Sequence, residues 1–461
     1  MKTRNITEMQ DMPIYRILFR LSWPVVLSMF VQSFYTFVDS IYLSKLGDSA
    51  MSAVSLSFTV QNFTAVFFTG IATGMNVLIS RFLGAGDYRK ARDSMYTGCM
   101  LQFAFSVVVM ALSFSFVPFY FSRSTSNPDV ILQGTRYLLP CMGLAVFSSS
   151  QIVFERVLQA SGLSGHMLLC QIVGSAVNII LDPVLIFGLG PFGAMGIRGA
   201  AVATLAGQLS AAIAAIILNI RKNSLLFGGH KEKRTFDWKY AGLICYIGIP
   251  SSAVGLASSI SGYFVNRILI GFSSTANAAF GVYAKLENIA VVPGQGCAAG
   301  LVTLLSFYIG QKNYRKMRKA FIIGELTIAT WMIMCAMLFI LAPRIPLLPF
   351  SVSEELKSLT IPAVRIVGST YILSGFMIGL GSFYQAVGKS IYTLVVAASR
   401  QLLVRIPIAF WLASFGSISL IWWCWPISEV VSDAVNLVIF SRIYKKTKIK
   451  MSYCGGNDDQ Q

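Results

Sequence analysis

Apolar residues dominate this 461-residue chain in long runs that are separated by short polar stretches. About 20 apolar residues in a helix cross the hydrocarbon core of a bilayer, and each of these runs reaches that length. Several runs contain Gly or Pro, which membrane helices tolerate better than soluble helices do. The pattern predicts twelve membrane-spanning helices: 14–43, 52–80, 94–121, 130–157, 163–188, 194–220, 240–271, 276–309, 319–342, 358–386, 390–415 and 417–443.

The composition supports this pattern. Only 12% of the residues are charged, against about 25% in soluble proteins, and 55% are hydrophobic. The eight cysteines are scattered, so we interpret them as reduced packing residues. The only histidines, His166 and His230, lie far apart, which argues against a histidine-based metal or catalytic site. The predicted fold class is all-α, in a polytopic membrane protein.

The charge pattern predicts how the helices are oriented. A net charge of +18 could suggest a nucleic-acid-binding protein, but the basic residues concentrate in alternate connections between the apolar runs. The positive-inside rule then places both termini and the 219–239 linker on the cytoplasmic side. We therefore expect no nucleic-acid partner. The first apolar run is too long for the core of a cleavable signal peptide, so we expect it to remain as the first span.

Three sequence features recur at an offset of 226 residues. The stretch that begins at Gly84 returns at Gly310, the Gln159-Ala-Ser-Gly162 stretch returns as Gln385-Ala-Val-Gly388, and Pro24 returns as Pro250. The repeat predicts two homologous six-helix bundles with parallel topology, which is typical of secondary transporters with a central site. The predicted domains are an N-terminal bundle, a cytoplasmic linker, a C-terminal bundle and a polar tail: 1–220, 221–239, 240–445 and 446–461.

Few ionisable residues lie within the predicted spans, and Asp39 in the first span is the most unusual. A charge at the centre of a membrane helix costs roughly 2.5–3.5 kcal/mol on insertion scales, so it is usually functional. Asn178 and Asp182 share one face of the fifth span, and Pro183 frees nearby backbone carbonyls. These oxygen ligands suit Na⁺, or a proton if Asp39 and Asp182 face each other. The alternative for each carboxylate is a structural hydrogen bond to a neighbouring helix.

The second half carries charges of both signs. Arg267 and Glu287, in the seventh and eighth spans, could neutralise each other, either to stabilise the second half or to take part in coupling. Arg400 and Arg405, in the eleventh span, are expected to extend from the helix towards the membrane surface. The twelfth span also contains two carboxylates, Glu429 and Asp433.

The sequence supports neither of two nucleotide-binding motifs. The 188–193 stretch matches G-x-G-x-x-G, but it follows a membrane helix instead of a strand, so we interpret it as a turn. The chain has no Walker A sequence, which excludes nucleotide-driven pumping by this chain.

The combination of these features resembles the multidrug and toxic compound extrusion (MATE) family, within the multidrug/oligosaccharidyl-lipid/polysaccharide flippase superfamily. The features are the two six-helix halves, Trp23-Pro24, Asp39, the Gly84 and Gln159 motifs and the Asn178…Asp182-Pro183 stretch. The resemblance implies a V-shaped pair of helix bundles that exports organic cations or drugs in exchange for H⁺ or Na⁺, without a cofactor.

The resemblance also implies roles for individual residues. The cation-coupling site would consist of Asp39, Asn178 and Asp182, which would bind the metal ion if the transporter is Na⁺-coupled, with Thr204 as the nearest candidate for a helix 6 threonine. Pro24 would be the hinge of the first helix. The substrate cavity would include Gln32, Tyr35, Phe154, Glu155, Arg267 and Glu287. Val265 and Asn266 occupy the position that corresponds to Asp39 in the second half, so this coupling site would be asymmetric.

Two other functions were considered. A flippase for lipid-linked oligosaccharides needs a cavity ringed by Arg and Lys, and only Arg267, Arg400 and Arg405 are candidates. An intramembrane enzyme needs convergent His, Cys or paired Asp residues, and only Asp39 and Asp182 could supply them. We therefore expect an antiporter and not an enzyme. It would be a monomer in the bacterial plasma (inner) membrane, with small organic cations as substrates.

Overall fold

The computed structural model describes residues 12–189, 193–228, 234–348 and 354–454, and these residues form helices and short connections without β-strands. His230 and parts of the predicted linker and tail lie outside these ranges. The helices of the first half are α1 (Ile14–Ser44), α2 (Asp48–Gly84), α3 (Tyr88–Ser124), α4 (Pro128–Gly143), α5 (Val146–Ala160), α6 (Ser164–Phe187), α7 (Ile197–Lys222) and α8 (Ser224–Phe227).

The second half repeats the order of the long helices. Its helices are α9 (Trp238–Ile270), α10 (Ser274–Gly310), α11 (Tyr314–Leu341), α12 (Glu354–Ser369), α13 (Tyr371–Val387), α14 (Ile391–Ala398), α15 (Ile406–Ala413), α16 (Ile418–Ile421) and α17 (Cys424–Cys454). A π-helical segment, Ser399–Arg405, joins α14 to α15 without a break, so these three elements form one continuous span.

The helices confirm the prediction of an all-α, multi-pass membrane protein. In the described ranges, nine helices are long and apolar enough to cross a membrane. The pairs α4–α5 and α12–α13 are bent by 48° and 47°, and each pair counts as one further broken span. The remaining long helix, α17, has 31 residues but is not among the helices that are both long and apolar enough to cross a membrane. Each predicted apolar run coincides with one of these helices or bent pairs.

The chain divides into two compact units. The first comprises Met1–Met12 and Trp23–Ile249, and the second comprises Pro13–Ser22 and Pro250–Gln461. Helices α1 and α9 therefore each contribute residues to both units. Pro24 lies just after the division in α1, and Pro250 lies at the division in α9. Because proline has no N–H to donate to the preceding turn, both helices are weakened where they pass from one unit to the other.

Glycines on α10 and α2 allow the amino-terminal parts of α1 and α9 to pack closely against these helices. A Cβ on Gly300 of α10 would collide with the Oγ of Ser22, whose hydroxyl donates to the carbonyl of Cys297 at 3.3 Å. In the first unit, a Cβ on Gly74 of α2 would collide with the carbonyl of Ile244. Gly74 and Gly300 stand at the same position of the sequence repeat, so the two units use the same packing device.

The two motifs that recur in the second half, which begin at Gly84 and at Gln159, form the carboxyl ends of helices. Gly86 and Lys312 have φ angles of +74° and +58°, and the next residue donates back to the carbonyl of Phe82 or Tyr308. This geometry closes the carboxyl end of a helix. Asp87 then caps α3 by accepting from the N–H of Lys90 at 3.0 Å. In the Gln159 and Gln385 motifs, the terminal glycines likewise have φ angles of +76° and +82°.

Candidate functional site

Asp39 and Asp182 meet within the first unit. They lie near the ends of α1 and α6, and their carboxyl groups are within hydrogen-bonding reach of each other. Asp182 is fully buried and Asp39 is half-buried. Since a carboxylate can only accept, a hydrogen bond between two carboxyl groups requires a proton on one of them. The pair can therefore hold a proton.

The same place has an excess of oxygen acceptors. Asn178 Nδ2 lies 3.5 Å from Asp182 Oδ1, which is the limit for a hydrogen bond. Asn178 Oδ1, Asp182 Oδ2 and Asp39 Oδ1 are buried and have no hydrogen-bond donor. A buried acceptor without a donor is costly, and a proton or a small cation would satisfy these three atoms.

Three polar residues that the sequence analysis did not assign to the site, Gln61, Tyr137 and Cys141, lie near the pair, together with Tyr35, which it did predict for the cavity. Gln61 of α2 forms hydrogen bonds with the side chains of Tyr137 and Cys141, and both of these lie within electrostatic reach of Asp39. Tyr35 lies one turn before Asp39 on α1, and its hydroxyl is close enough to feel the charges of Asp39 and Asp182. The site is therefore polar on the side of α2 and α4 as well.

A polar stripe leads along α6 to the carboxyl pair. It consists of Gln171, Ser175, Asn178 and Asp182, all at least nine-tenths buried. Residues spaced by three and four positions share one face of a helix, so this stripe is readable in the sequence. Gln171 Nε2 lies 3.5 Å from Ser175 Oγ.

Glu155 lies at the far end of the polar stripe. Gln151 Nε2 donates to Glu155 Oε1 at 3.1 Å and also to Gln171 Oε1 at 3.2 Å, so it links α5 to α6. Glu155 is buried, and the adjacent Arg156 supplies a nearby positive charge while its guanidinium donates to Gln159 Oε1 at 2.7 Å. The structure therefore places Glu155 in a buried hydrogen-bond network.

Close packing of α6 on α7 positions Asn178 and Thr204. A Cβ on Gly207 of α7 would lie 3.1 Å from the Cβ of Asn178, and a Cβ on Gly199 would meet the backbone of Leu185 at 2.5 Å. Thr204 lies between these two glycines, so it is level with the part of α6 between Asn178 and Leu185, and it is half-buried.

Gln32 and Phe154, which were also predicted for the substrate cavity, lie on α1 and α5. Gln32 is exposed on α1, and its carbonyl accepts from the hydroxyl of Thr36 at 2.9 Å. Phe154 contacts Phe227 of α8, with ring centroids 6.4 Å apart, and its carbonyl accepts from Asn219 at 3.0 Å.

The prediction that Arg267 and Glu287 could pair is not borne out by the geometry. Arg267 is exposed, and its NH1 lies 3.4 Å from Tyr263 Oη, one turn earlier on the same helix. The charges within electrostatic reach of Glu287 are those of Arg405, Arg400 and Glu429. Consecutive helices in sequence therefore do not bring these two charges together.

The expectation that Arg400 and Arg405 extend towards the membrane surface is wrong. Arg400 NH1 lies 2.9 Å from Glu429 Oε1, and Arg405 NH2 lies 3.8 Å from the same atom. The side chains of the two arginines are 19% and 11% exposed, and that of Glu429 is 3% exposed. Within the second unit, these residues form a buried ion-pair cluster that sequence spacing did not reveal.

Comparison with known proteins identifies the family. The MatE family model matches residues 24–184 and again 250–411, and the two matches begin at Pro24 and Pro250. The chain is 23% identical over 406 residues to a FAD transporter of Shewanella oneidensis, a match that covers 86% of this chain and 88% of the relative. It is also 23% identical over 441 residues to the multidrug export protein MepA of Staphylococcus haemolyticus, covering 95% and 96% of the two chains.

Solved structures show the same fold. A MATE transporter in the bent conformation superposes with a TM-score of 0.90 at 22% identity, covering 98% of this chain and all of that chain. A transporter of the MOP superfamily from Pyrococcus furiosus superposes with a TM-score of 0.87 at 22% identity, covering 96% and 98% of the chains. With both halves matched by the family model and the fold shared, the chain belongs to the MatE family of membrane transporters and is not an enzyme.

Proposed function

We propose that this chain is a secondary antiporter that exports organic cations or drugs in exchange for H⁺ or Na⁺, with Asp39, Asn178 and Asp182 as the cation-coupling site. The main support is that the Asp39 and Asp182 carboxyl groups lie within hydrogen-bonding reach of each other, and that one buried oxygen of each of these residues and of Asn178 lacks a donor. A proton would occupy the carboxyl pair, whereas Na⁺ would be held by the three oxygens. Thr204 lies at the same level and could supply a further hydroxyl oxygen.

The driving cation acts through the shape of α1. Asp39 and Pro24 lie on the same helix, and Pro24 directly follows the point where α1 passes from the second unit to the first. Binding of a cation at Asp39 removes the repulsion between two carboxylates and favours the α1 shape in which they meet. A ligand shifts such an equilibrium only by its difference in affinity for the two states. Export therefore requires that substrate and cation prefer different shapes of this helix.

The relatives support transport of small molecules. The names of the two relatives refer to multidrug export and to FAD transport, and they do not favour the flippase alternative. In the first unit, Tyr35 presents an aromatic side chain near the carboxyl pair, an arrangement suited to an organic cation. The basic connections support a topology with both termini in the cytoplasm. Our proposal further takes the transporter as a monomer in the plasma membrane.

Transport by everted membrane vesicles tests the proposal. Uptake of a fluorescent organic cation by vesicles that contain the protein is measured under an imposed pH gradient and, separately, under an imposed Na⁺ gradient. Vesicles without the protein serve as the control, and an ionophore that collapses each gradient gives the background. The gradient that drives uptake identifies the coupling ion.

The expected result is uptake driven by one of the two gradients and abolished by its ionophore. Uptake that persists without either gradient would indicate facilitated diffusion and would contradict antiport. If neither gradient moves any compound of a panel of organic cations, the proposal fails.

A further inference from the structure

The carboxyl-terminal part of α17 lies beside the amino-terminal end of α11 within the second unit. The hydroxyl groups of Tyr314 and Tyr444 are 2.9 Å apart. Further along the same two helices, the ring of Phe321 stacks on the ring of Phe440, with the ring centroids 5.6 Å apart. Because aromatic contacts join the helices at two levels, the two helix ends are held side by side.

Both of these helix ends are strongly basic. The stretch 312–319 contains five basic residues, the stretch 442–448 contains four, and neither stretch contains Asp or Glu. Lys316 is half-buried. The other basic side chains of the two stretches are exposed: Lys312, Arg315, Arg318, Lys319, Arg442, Lys445, Lys446 and Lys448. The two helix ends therefore form one surface, which we call the basic surface, with no acidic residue to neutralise it.

The tyrosine pair lies within this basic surface. Arg318 follows Tyr314 by four residues and Lys448 follows Tyr444 by four residues, so each basic residue shares a helical face with one of the tyrosines. Arg318 also lies within electrostatic reach of the Tyr314 hydroxyl. Since only one of two paired hydroxyl groups donates to the other, the second keeps its own hydrogen for a further acceptor. Two cationic groups and one hydroxyl donor thus occur together.

The corresponding helix ends of the first half are much less basic. The stretches 86–93 and 216–222, which lie 226 residues earlier, contain five basic residues and two acidic ones, Asp87 and Asp93. Asp87 forms an ion pair with Lys90 at 2.6 Å. Asn313 and Lys319 take the places of the two aspartates in the second half. The positive-inside rule accounts for basic connections in both halves, but it does not account for this difference between them.

The exposed faces of both helices change from basic to apolar further into the predicted spans. On α11, Ile322 and Leu326 follow Arg318 by one and two turns and are 43% and 60% exposed. On α17, Val438 stands one turn before Arg442 and is 53% exposed. A phospholipid has the same order of groups, with a charged headgroup above apolar chains. A soluble anion would make no use of these apolar side chains.

We propose that the basic surface of α11 and α17 binds an anionic phospholipid of the cytoplasmic leaflet. Arg318 and Lys448 contact the phosphate, the remaining tyrosine hydroxyl donates to one of its oxygens, and the acyl chains lie along the exposed apolar residues. The site is open to the membrane, so a headgroup reaches it without entering the protein. This binding is separate from the cation-coupling site of the first unit and goes beyond the transport function proposed above.

Lipid retention by the purified full-length protein tests this proposal. Native mass spectrometry counts the lipid molecules that remain bound when phosphatidylglycerol, or phosphatidylcholine with the same acyl chains, is added in neutral detergent. The wild type is compared with Arg318→Gln/Lys448→Gln and with a matched control, Arg89→Gln/Lys222→Gln. Arg89 and Lys222 are exposed basic residues at the corresponding helix ends of the first unit.

The wild type is expected to bind phosphatidylglycerol more tightly than phosphatidylcholine. A basic residue near an anionic lipid surface contributes about fivefold in affinity, so Arg318→Gln/Lys448→Gln should weaken phosphatidylglycerol binding by tenfold or more. The control variant should keep the wild-type affinity. Equal losses in the two double variants would show a general attraction to basic residues, which overturns the proposal. Equal affinity of the wild type for both lipids also overturns it.

A second variant and a competitor extend the test. Lys319→Asp gives the second half the residue that the first half has at this position, and it should weaken phosphatidylglycerol binding. Thermal unfolding without added lipid should match the wild type, because Lys319 is exposed. Unchanged affinity in both Lys319→Asp and Arg318→Gln/Lys448→Gln contradicts the proposal. Glycerophosphoglycerol, the headgroup without acyl chains, should not displace the lipid at equal concentration. Full displacement would indicate a site for soluble anions instead.

Discussion

Asp39 and Asp182 lie on helices that are far apart in the chain, yet their carboxyl groups lie within hydrogen-bonding reach of each other inside the first unit. Asn178 is fixed beside them by the close approach of α6 to Gly207 of α7. The position of this pair therefore depends on the packing of three helices. The coupling role that we propose for this pair leads to the first prediction.

Substitution of either carboxyl group should abolish gradient-driven transport. In Asp39→Asn or Asp182→Asn, an amide can neither bind nor release a proton, and it holds Na⁺ less strongly than a carboxylate. Uptake into vesicles should fall to the rate of vesicles without the protein. Asp48→Asn, at an exposed position at the start of α2, is the matched control and should transport like the wild type. Full uptake by both site variants would disprove the assignment of the site.

Removal of Arg400 should destabilise the second unit. Arg400→Gln leaves the buried Glu429 with only Arg405, at 3.8 Å, as an ion-pair partner, and breaking a buried ion pair costs about 3–5 kcal/mol. The double variant Arg400→Gln/Glu429→Gln should lose less stability, because no charge remains unpaired. Thermal unfolding in detergent measures both. Equal losses in the single and double variants would show that the ion pair contributes no coupling energy.

Position 379 should tolerate only glycine, because the neighbouring Glu325 leaves no space for a side chain. A Cβ on Gly379 of α13 would collide with the Glu325 carboxyl group, whose two oxygens are buried and have no hydrogen-bond partner. Gly379→Ala should therefore cost about 1–3 kcal/mol of stability. In a Glu325→Ala background the same change should cost little, as a double-mutant cycle would show. Gly281→Ala, in α10, has open space around its Cβ and should be neutral or stabilising.

The helix ends of the repeat differ in strain. Gly86 and Lys312 stand at equivalent positions with positive φ, a conformation that only glycine adopts without strain. We expect Gly86→Ala to destabilise the protein by about 1 kcal/mol and Lys312→Gly to stabilise it. Thermal unfolding of the two variants is the measurement. A loss of stability in Lys312→Gly would mean that the lysine side chain outweighs the backbone strain.

The Asp87 cap should respond to acid. The hydrogen bond and charge of Lys90 hold the pKa of Asp87 below its ordinary value, so the folded state binds a proton less readily than the unfolded state. The stabilisation is therefore present above the unfolded pKa of about 3.9 and is lost as the pH falls through the lower folded pKa. Asp87→Asn should retain most of the cap and lose this pH dependence, whereas Asp87→Ala should cost about 1 kcal/mol. An unchanged pH profile in Asp87→Asn would contradict the prediction.

The sequence by itself determined the all-α membrane fold and the internal repeat. Long apolar runs leave no alternative to helices in a bilayer, because backbone groups must bond within each span. The repeated Gly84 and Gln159 motifs are helix ends, whose geometry depends on local residues such as Gly162 and Asp87. The sequence also indicated Asp39, Asn178 and Asp182 as candidate site residues. Polar residues are costly within spans, and Asn178 and Asp182 share a helical face.

Only the tertiary structure decided which charges meet. Sequence neighbours suggested that Arg267 and Glu287 could pair, but Glu287 lies near Arg405, and Arg400 and Arg405 approach Glu429. The π-helical turn that aligns these arginines has no local sequence signal, since it forms where packing favours a wider helix. Contacts between distant helices depend on helix rotation and depth, and periodicity within one helix does not specify either.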